Sequence, residues 1–516
     1  MPTANPTPSD LESAIARRKR VRRWVWGGAL VVAVPLVIVA RPAVHLWQTA
    51  KHDLDQLEAT PPGYANDASR MNLTPVREVI PVAADVAEAE AQIADLLRDA
   101  RANGWKVAIA GARHSMGGHT IYPDGIVLDM LPLNHMQLDE RSSTLHVGAG
   151  AIWREVLAYL DPRGKSVAVM QSNNSFSVGG SLSVNCHGWQ VGRPPIAATV
   201  RRFRLMLADG SIVGCSREEN AELFSAVLGG YGLLGVILDA ELEVVPNRRY
   251  RLERHVAAAE QLPAEWDEAV AARPGAEMVY GRLNVMEERF LEDAILYVHY
   301  ADANDRKPIP AMHAANSTKL RRHVFRGSAE SDYGKRLRWQ AELDWQPKLA
   351  GDVFSRNQLL NEGVEVFQNR SADSTDILHE YFVPAAAFGE FVARLREIIP
   401  RHGGNLLNLT VRSIEQDDDT LLRYADGPMM SLVMLFYEQR DAAGDAKMAA
   451  MTRDLIDAAL EAGGCYYLPY RLHATRQQFR RAYPQCDEFF AVKRGFDPDD
   501  LFQNRFYLKY GTREGD

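Results

Sequence analysis

Cysteine is scarce in this sequence. Its 516 residues include only four, at positions that are far apart. No two of them form a CxxC pair, and their spacing indicates neither a zinc site nor a disulfide framework. We therefore predict no metal site, and we expect the four cysteines to be buried free thiols: Cys186, Cys215, Cys465 and Cys486.

Basic residues are also fewer than acidic residues. The chain has 59 Lys and Arg against 67 Asp and Glu, which gives a net charge of −8. General nucleic-acid binding requires a basic surface and is therefore excluded. No internal repeat or low-complexity tract is apparent. The length exceeds what one compact core holds, so two or three domains are expected.

Charge is absent altogether from residues 24–40, which follow a dense basic run. A membrane helix needs about 17–25 residues, and indole rings settle at the interfaces, where Trp24, Trp26 and Trp47 would lie. We predict a basic tail over 1–23, an uncleaved transmembrane helix over 24–47 and a linker over 48–73. The alternative is a cleaved signal peptide, although residues 38–40 make a poor cleavage site.

The charges that flank this stretch predict its orientation. The basic run places the N-terminus in the cytoplasm, so the chain would cross the inner membrane once and carry its catalytic part on the non-cytoplasmic side. Arg22 and Arg23 faintly resemble a signal for twin-arginine export of a folded protein.

A helix, a strand and a glycine loop follow the predicted linker. Apolar residues recur at helical spacing from Val86 to Ala100, and Gly104 is a typical helix end. Residues 107–110 form a short apolar strand pattern. Residues 111–119 then read GARHSMGGH. Consecutive N–H groups in such a loop can form a nest for an anion, and His114 adds a ring nitrogen. The alternative is an ordinary glycine-rich turn with a solvated histidine.

Two further glycine segments follow at 177–188, SVGGSLSVNCHG, and 228–237, LGGYGLLGVI. Between them, residues 208–211 read ADGS and indicate a hairpin joining strands at 200–207 and 212–213. The first segment could also be a tight turn between strands. No GxGxxG follows a predicted strand, so a Rossmann-type nicotinamide site is not indicated.

The three glycine segments, in this order, resemble the FAD domain of vanillyl-alcohol-oxidase type (PCMH-type) flavoproteins. These include alditol and aldonolactone oxidases, cytokinin dehydrogenases and decaprenylphosphoryl-ribose oxidases. The resemblance implies FAD as cofactor, covalently attached in some members at the position of His114; His119 is the less favoured attachment site. It implies these cofactor-binding residues: Gly111, Ala112, Arg113, His114, Ser115, Met116, Gly117, Gly118, His119, Gly179, Gly180, Ser181, Ser183, His187, Gly188, Gly235, Ile237 and Asn504.

The second half of the chain has a different sequence pattern. Strand patterns at 377–383, 406–411 and 431–436 alternate with helical stripes before Gly403 and Gly463, which predicts an antiparallel sheet backed by helices. Residues 304–368 are rich in Arg and Lys, so they are expected to form solvated helices, a mobile insertion or a lid facing a membrane or partner. Residues 497–506, DPDDLFQNRF, resemble the family's closing segment, which returns to the FAD domain.

The predicted fold class is therefore α+β, with one N-terminal transmembrane helix. A two-lobed PCMH-type FAD-binding domain over 74–248 is followed by an α+β cap, or substrate domain, over 249–485. The last segment, 486–516, returns to the FAD domain.

The resemblance also implies a reaction. A flavin accepts a hydride from a substrate C–H while a base receives the hydroxyl proton, and the protein supplies position and charge. Arg412 lies where alditol oxidases carry an active-site arginine, although Thr410 replaces their glutamate, which weakens a polyol assignment. Arg471 and His473 fall where relatives present polar groups to the flavin; they could equally be ordinary polar residues of a surface strand.

Three functions stay open on the sequence alone. The favoured one is oxidation of a CH–OH group in a small-molecule or lipid-linked alcohol, such as a sugar or lactone, with oxygen or a quinone as electron acceptor. The second is reduction of a C=C bond, as in sterol reductases. The third is a non-catalytic membrane protein that retains the fold.

Overall fold

The computed structural model describes residues 17–19, 40–51, 53–54, 56–301, 307–313, 318–345, 351 and 353–512. The chain divides into two compact units, Met1–Leu54 and Asp55–Asp516. In the first unit, residues 40–51 are helical. Most of the predicted membrane helix at 24–47 lies outside the described residues. Within the described ranges, no helix combines the length and the apolar character needed to span a bilayer.

The second unit begins with a small parallel sheet and one long helix. The sheet has the strand order Glu78–Pro81, Ile126–Asp129 and Val107–Ala110. The helix, Val86–Asn103, begins after Asp85, whose carboxylate accepts from two backbone N–H groups, and ends at Gly104 with φ 70°. Ile93 and Leu97 are fully buried in the core beneath it. The helix, its end and the strand at 107–110 are confirmed.

An antiparallel sheet of six strands comes next. Five run in the spatial order Ile212–Ser216, Val200–Met206, Val236–Pro246, Thr144–Gly148 and Met136–Asp139, while Lys165–Val167 pairs with Val236–Pro246. The predicted hairpin is confirmed, with Ile212 opposite Met206. Three helices accompany the sheet: Trp153–Leu160, Val178–Ser183 and Ala221–Val227.

The larger sheet has eight antiparallel strands among the described residues. Their spatial order is Val353–Ser355, Arg249–Ala258, Asp293–Ala301, Ala276–Leu283, Asn405–Ile414, Met429–Gln439, Ser374–Val383 and Cys465–Tyr466. The helices that bury apolar stripes beside it are Leu262–Ala272, Phe388–Arg401 and Ala442–Glu461. The predicted antiparallel sheet backed by helices is confirmed.

The Arg- and Lys-rich region contains the helices Thr318–Arg326, Asp332–Gln340, Ala341–Trp345 and Arg356–Leu360. Phe325 and Trp339 are buried, Phe325 against Phe367 and Trp339 in a cluster with Tyr297. The prediction of solvated helices is therefore wrong for one face of Thr318–Arg326 and one face of Asp332–Gln340, because each of these two helices carries a buried aromatic side chain among its charges. Short 3-10 helices lie at Asp161–Arg163, Ile196–Thr199, Ala259–Gln261, Val364–Val366 and Ala385–Ala387.

The chain ends with the helices Arg476–Ala482, Cys486–Phe496 and Arg505–Tyr510. Before the last helix, the backbone joins the parallel sheet: Val107 N–H donates to Leu501 O at 2.8 Å, and Gln503 N–H donates to Val107 O at 3.0 Å. The closing segment thus packs against the strand that precedes the His114 loop. All four cysteines are free and buried, as predicted.

The second half of the predicted linker is part of the fold. Tyr64–Ala65 pairs with Thr74–Pro75, and Asp67 and Asn72 between them are buried. The sequence predicts a linker here, but the side chains of Asp67 and Asn72 bind the backbone of the His114 loop. From about Tyr64 onward the linker prediction is wrong.

Candidate cofactor and active site

A deep cavity lies between the glycine segments and the larger sheet. It contains about 1480 Å³ of space not filled by atoms, mouth included. Of the residues predicted to bind the cofactor, these line it: Gly111, Ala112, Arg113, His114, Ser115, His119, Gly179, Gly180, Ser181, Ser183, His187, Gly235 and Ile237.

The His114 loop, residues 111–119, presents its backbone to the cavity. Arg113 has a positive φ of 55°, which bends the chain into a concave turn. Within the described residues, the N–H groups of Arg113, His114 and Ser115 have no hydrogen-bond acceptor. Three consecutive free N–H groups in a concave turn form an anion nest, and the diphosphate of FAD is such an anion. The residues present therefore fit FAD.

His114 is held in one orientation. Its Nε2 lies 3.1 Å from Ser175 O, and its ring stacks on Phe176 with centroids 4.3 Å apart. Burial lowers the pKa of His114, against the opposing effect of the Ser175 hydrogen bond, so the ring is neutral near pH 7. Because a carbonyl only accepts, Nε2 carries the proton and Nδ1 keeps its lone pair.

His119 occupies a more enclosed position on the same loop. Burial lowers the pKa of His119 to about 3, so its ring also stays uncharged. It lies near the rings of Tyr231 and Phe506, with centroids 5.3 and 5.7 Å away. These contacts make it a packing residue at the inner end of the loop.

The second glycine segment is a helical turn, Val178–Ser183, rather than the predicted loop or a turn between strands. Ser177 joins it to the His114 loop, since its Oγ accepts from Ala112 N–H at 3.2 Å. A Cβ on Gly111 would lie 2.0 Å from that Oγ, and one on Gly179 would lie 2.8 Å from the Cβ of Ala149. A side chain at either position would therefore clash within the protein, and both glycines also line the cavity.

The third glycine segment, residues 228–237, forms part of the cavity wall. Main-chain hydrogen bonds join it to the second glycine segment. Tyr231 N–H donates to Ser183 O at 2.9 Å, and Gly229 N–H donates to Leu182 O at 2.9 Å. Asn504 lies outside the lining but donates its Nδ2 to Tyr231 O at 2.9 Å, so the closing segment supports this wall. Tyr231 itself lines the cavity with a positive φ of 55°.

The far end of the cavity holds a buried carboxylate, Glu380, on the strand Ser374–Val383. Its Oε1 accepts from His187 Nε2 at 2.6 Å and from Ser431 Oγ at 2.5 Å, and its Oε2 accepts from Tyr470 O–H at 3.1 Å. Burial opposes its ionisation, but His187 and then Arg412 hold the pKa of Glu380 below its ordinary value. Glu380 is therefore ionised, while burial raises the pKa of Tyr470 and keeps that phenol protonated.

Arg412 lies on the strand Asn405–Ile414, which Met429–Gln439 separates from the strand of Glu380, and it also lines the cavity. One of its terminal nitrogens donates to Ser172 Oγ at 2.7 Å. Its Nε and the Nδ1 of His187 are buried without a hydrogen-bond partner in the described structure. A guanidinium with a single neutral partner keeps its charge available for a substrate oxygen.

The other two predicted catalytic residues lie elsewhere. Arg471 and His473 do not line the cavity; both bind Asp445, with distances of 2.6 and 2.9 Å. The strand here ends at Tyr466, so the residues after it follow an irregular path and the alternation of a strand does not apply. The assignment of Arg471 and His473 to direct contact with the flavin or substrate is corrected to a polar cluster behind the His114 loop.

Four predicted cofactor-binding residues also miss the cavity. Met116 accepts from Leu378 N–H through its sulfur, and Gly117 packs against the carbonyl of Tyr470. Gly118 N–H donates to Asp67 at 2.8 Å. Gly188 sits against Met170 O. These residues shape the backbone of their segments rather than line the cavity, because the chain has turned away from it at each point.

Sequence reasoning missed several residues at the cavity. Glu380 carried a usable signal: it is the only acid in the predicted strand pattern at 377–383, and buried charges are rare without a specific role. Ser177 and Tyr231 belong to the second and third glycine segments, so those motifs could have indicated them. The remaining residues lie outside the three glycine segments and gave no signal: Gln171, Ser172, Asn173, Phe176, Tyr467 and Tyr470.

One cluster of metal-ligand type lies outside the cavity, formed by His135, His146 and Asp239. Arg204 donates to both oxygens of Asp239, and His146 Nε2 lies 3.1 Å from Oδ1. Asp239 raises the pKa of His146 through that hydrogen bond. Because the guanidinium already engages the carboxylate, we interpret the cluster as an ion-pair network across the six-stranded sheet.

Comparison with known proteins agrees with this geometry. Residues 81–216 match the family described as FAD binding domain. The chain is 33% identical over 164 residues to cytokinin dehydrogenase 2 of Arabidopsis thaliana, a match covering 31% of this chain and 32% of that protein. It is 30% identical over 157 residues to L-gulonolactone oxidase of Mus musculus, covering 30% and 36%.

A longer match reaches the cap. Cytokinin dehydrogenase 10 of Oryza sativa subsp. japonica is 26% identical over 416 residues, which is 73% of this chain and 74% of that protein. The two matches of higher identity span only about a third of those relatives. The predicted PCMH-type FAD-binding domain and FAD as cofactor are confirmed.

Proposed function

We propose that this chain, which carries an FAD-binding domain of the vanillyl-alcohol-oxidase type, is an oxidoreductase that oxidises a CH–OH group of a sugar, lactone or lipid-linked alcohol. The observation that carries the proposal is that Glu380 and Arg412 both line the cavity that fits FAD. An ionised acid and a cation that line the same cavity are what an alcohol oxidation needs: one group to take the hydroxyl proton and one to hold the oxygen.

Each side chain has a defined task. Bound FAD supplies a two-electron acceptor that takes a hydride from carbon. Glu380 Oε2 has Tyr470 as its donor and retains capacity to accept the proton of the substrate hydroxyl. Arg412 orients the substrate oxygen and stabilises the negative charge that develops as the proton leaves. His187 and Ser431 fix the carboxylate from behind through Oε1.

The reaction is tested by mixing the purified chain with sugars, lactones and polyprenyl-linked alcohols without oxygen. We expect one class to bleach the yellow flavin. The C=C reductase would be supported instead if no alcohol reduces the flavin but an external reductant does. An activated alkene should then reoxidise that reduced flavin. A flavin inert to every substrate would point to a non-catalytic protein. Reoxidation by air or only by a quinone then identifies the acceptor.

We further propose that FAD is bonded covalently through His114. The support is the neutral ring, whose Nε2–H is directed to Ser175 O and whose Nδ1 is unprotonated. Nδ1 would then be joined to the 8α-carbon of the flavin in place of one hydrogen of that methyl group, and the two electrons released would pass to the oxygen or quinone acceptor. The wild-type chain should remain fluorescent on a denaturing gel, and His114→Ala should not. Flavin released by acid from the wild type would refute the bond.

The membrane anchor remains a proposal based on the sequence. Residues 24–47 would hold the chain on the inner membrane, with the FAD domain 74–248, the cap 249–485 and the segment 486–516 outside the cytoplasm. A C-terminal reporter that works only in an oxidising compartment should be active. A reporter active only in the cytoplasm would overturn the orientation, and soluble protein beginning near Arg41 would overturn the anchor.

A further inference from the structure

We propose that Asp67, Asn72 and Arg471 form a loop clamp, a set of positioning residues that holds the His114 loop in the conformation that receives FAD. The proposal rests on the proposed role of His114. It assigns a task to a stretch that looks like a linker and to an arginine that does not touch the cavity.

Asp67 ties down the C-terminal end of the loop. Its side chain is buried, and Oδ2 accepts from Gly118 N–H at 2.8 Å and from Asn72 Nδ2 at 2.7 Å. Its Oδ1 accepts from Ser69 Oγ at 2.6 Å and from Ser69 N–H at 3.1 Å, which fixes the carboxylate itself. A buried carboxylate with four donors is costly to displace, so it makes a rigid attachment point.

Asn72 holds the middle of the loop. Its Nδ2 donates to Met116 O at 2.9 Å, and its Oδ1 accepts from Arg471 at 3.0 Å. Asp445 in turn fixes Arg471 through hydrogen bonds to Nε at 3.2 Å and to a terminal nitrogen at 2.6 Å. The guanidinium therefore orients the amide of Asn72, and the amide holds the loop.

The backbone beside these side chains sets the direction of the anion nest. Ala68 N–H lies 3.1 Å from Arg113 O and 3.3 Å from Ser115 O. In a trans peptide the carbonyl of one residue and the N–H of the next point in opposite directions. A carbonyl of Arg113 held toward Ala68 therefore directs the N–H of His114 away from the clamp, where no described residue accepts it.

The test compares hydrogen exchange and flavin retention in the full-length holoprotein. Asn72→Ala removes the amide that links Arg471, Met116 O and Asp67, and the loss of these three hydrogen bonds predicts at least about tenfold faster exchange in a peptide covering 111–119. Hydrogen exchange of the preceding strand Val107–Ala110 should stay within twofold of its rate in the wild type. We also expect Asn72→Ala to halve, at least, the fraction of flavin retained after acid precipitation.

The matched control is Asn284→Ala. Asn284 is fully buried and makes two side-chain hydrogen bonds within the cap, to Met286 N–H and Asp293, without contact to the loop. We expect neither loop exchange nor flavin retention to change in this variant. The hydrogen-exchange rate of the loop in Arg471→Lys should lie between the rates of the wild type and of Arg471→Ala. Lysine keeps the positive charge but lacks the planar fork of donors of the guanidinium.

Loop exchange equal to wild type in both Asn72→Ala and Arg471→Ala would overturn the clamp. A uniform rise over all peptides would also overturn it, because that is the result of a general loss of stability. If the wild type holds no covalent flavin, the proposed bond at His114 fails, but the exchange of the loop peptide still decides the clamp.

Discussion

Arg412 and Arg471 look alike in the sequence, yet they lie on opposite sides of the site. Arg412 has one neutral partner, Ser172, and lines the cavity. Arg471 binds Asp445 and Asn72 behind the His114 loop. The same contrast holds for the loop itself, which leaves N–H groups free toward the cavity and has its carbonyls bound on the other side. The loop N–H groups and the Arg412 guanidinium thus keep hydrogen-bonding capacity for a ligand, whereas Arg471 uses its guanidinium to position the loop.

The largest effect is expected at Glu380. If it takes the substrate proton, Glu380→Gln should slow anaerobic flavin reduction about 10²–10⁴-fold, the usual contribution of a general base. Gln keeps the shape of the side chain and its hydrogen bonds to Ser431 and Tyr470, so FAD content should not change. Stopped-flow absorbance measures the rate.

The control for this variant is Glu438→Gln. Glu438 is also buried on a strand of the larger sheet, but it lines a separate small cavity. We expect its flavin reduction to stay within threefold of wild type. Equal slowing in both variants would mean that Glu380 acts only through stability.

The two arginines provide the next test. Arg412→Ala should lower kcat/KM roughly 10–100-fold, since a hydrogen bond to a charged group contributes about 1.5–3 kcal/mol. Arg471→Ala should change kcat/KM less than threefold when FAD is fully loaded, and should act instead on flavin retention. A larger catalytic loss in Arg471→Ala than in Arg412→Ala would reverse the assignment. Steady-state kinetics on flavin-saturated protein gives the comparison.

The smallest effect concerns pH. Burial, then the neighbouring Asp445, raises the pKa of Glu438 from 4.5 to about 7. The folded protein therefore holds a proton that the unfolded chain has released, so the free energy of unfolding falls as the pH rises from about 4.5 through about 7. The slope is at most about 1.4 kcal/mol per pH unit for one group. Glu438→Gln should flatten it in denaturant titrations, and an unchanged slope would contradict the shift.

The periodic parts of the fold could be predicted from the sequence. The stripe from Val86 to Ala100 follows from side-chain spacing, because burial on one face imposes that spacing. The strand at 107–110 follows from its apolar run, and the hairpin at 200–216 follows from the turn residues at 208–211. Residues 64–72 could not be placed. Their side chains are polar like those of a linker, and only the tertiary structure shows that they bind the loop backbone.

The site was predictable where its residues are contiguous in the chain and not elsewhere. The His114 loop, the turn at 177–183 and the segment near Gly235 each carry their own pattern of small residues. Glu380, by contrast, acquires its role from His187, Ser431 and Tyr470, which come from three other segments. Sequence spacing carries no information on which side of an irregular stretch Arg471 lies.

The most direct test of the account is an experimental structure of the chain with FAD bound. We expect diphosphate oxygens within about 2.7–3.2 Å of the N–H groups of Arg113, His114 and Ser115, which is the range of a hydrogen bond. The flavin ring should lie between His114 and the end of the cavity that holds Glu380 and Arg412. A diphosphate bound away from the His114 loop, or a flavin ring facing Arg471 and His473, would contradict it.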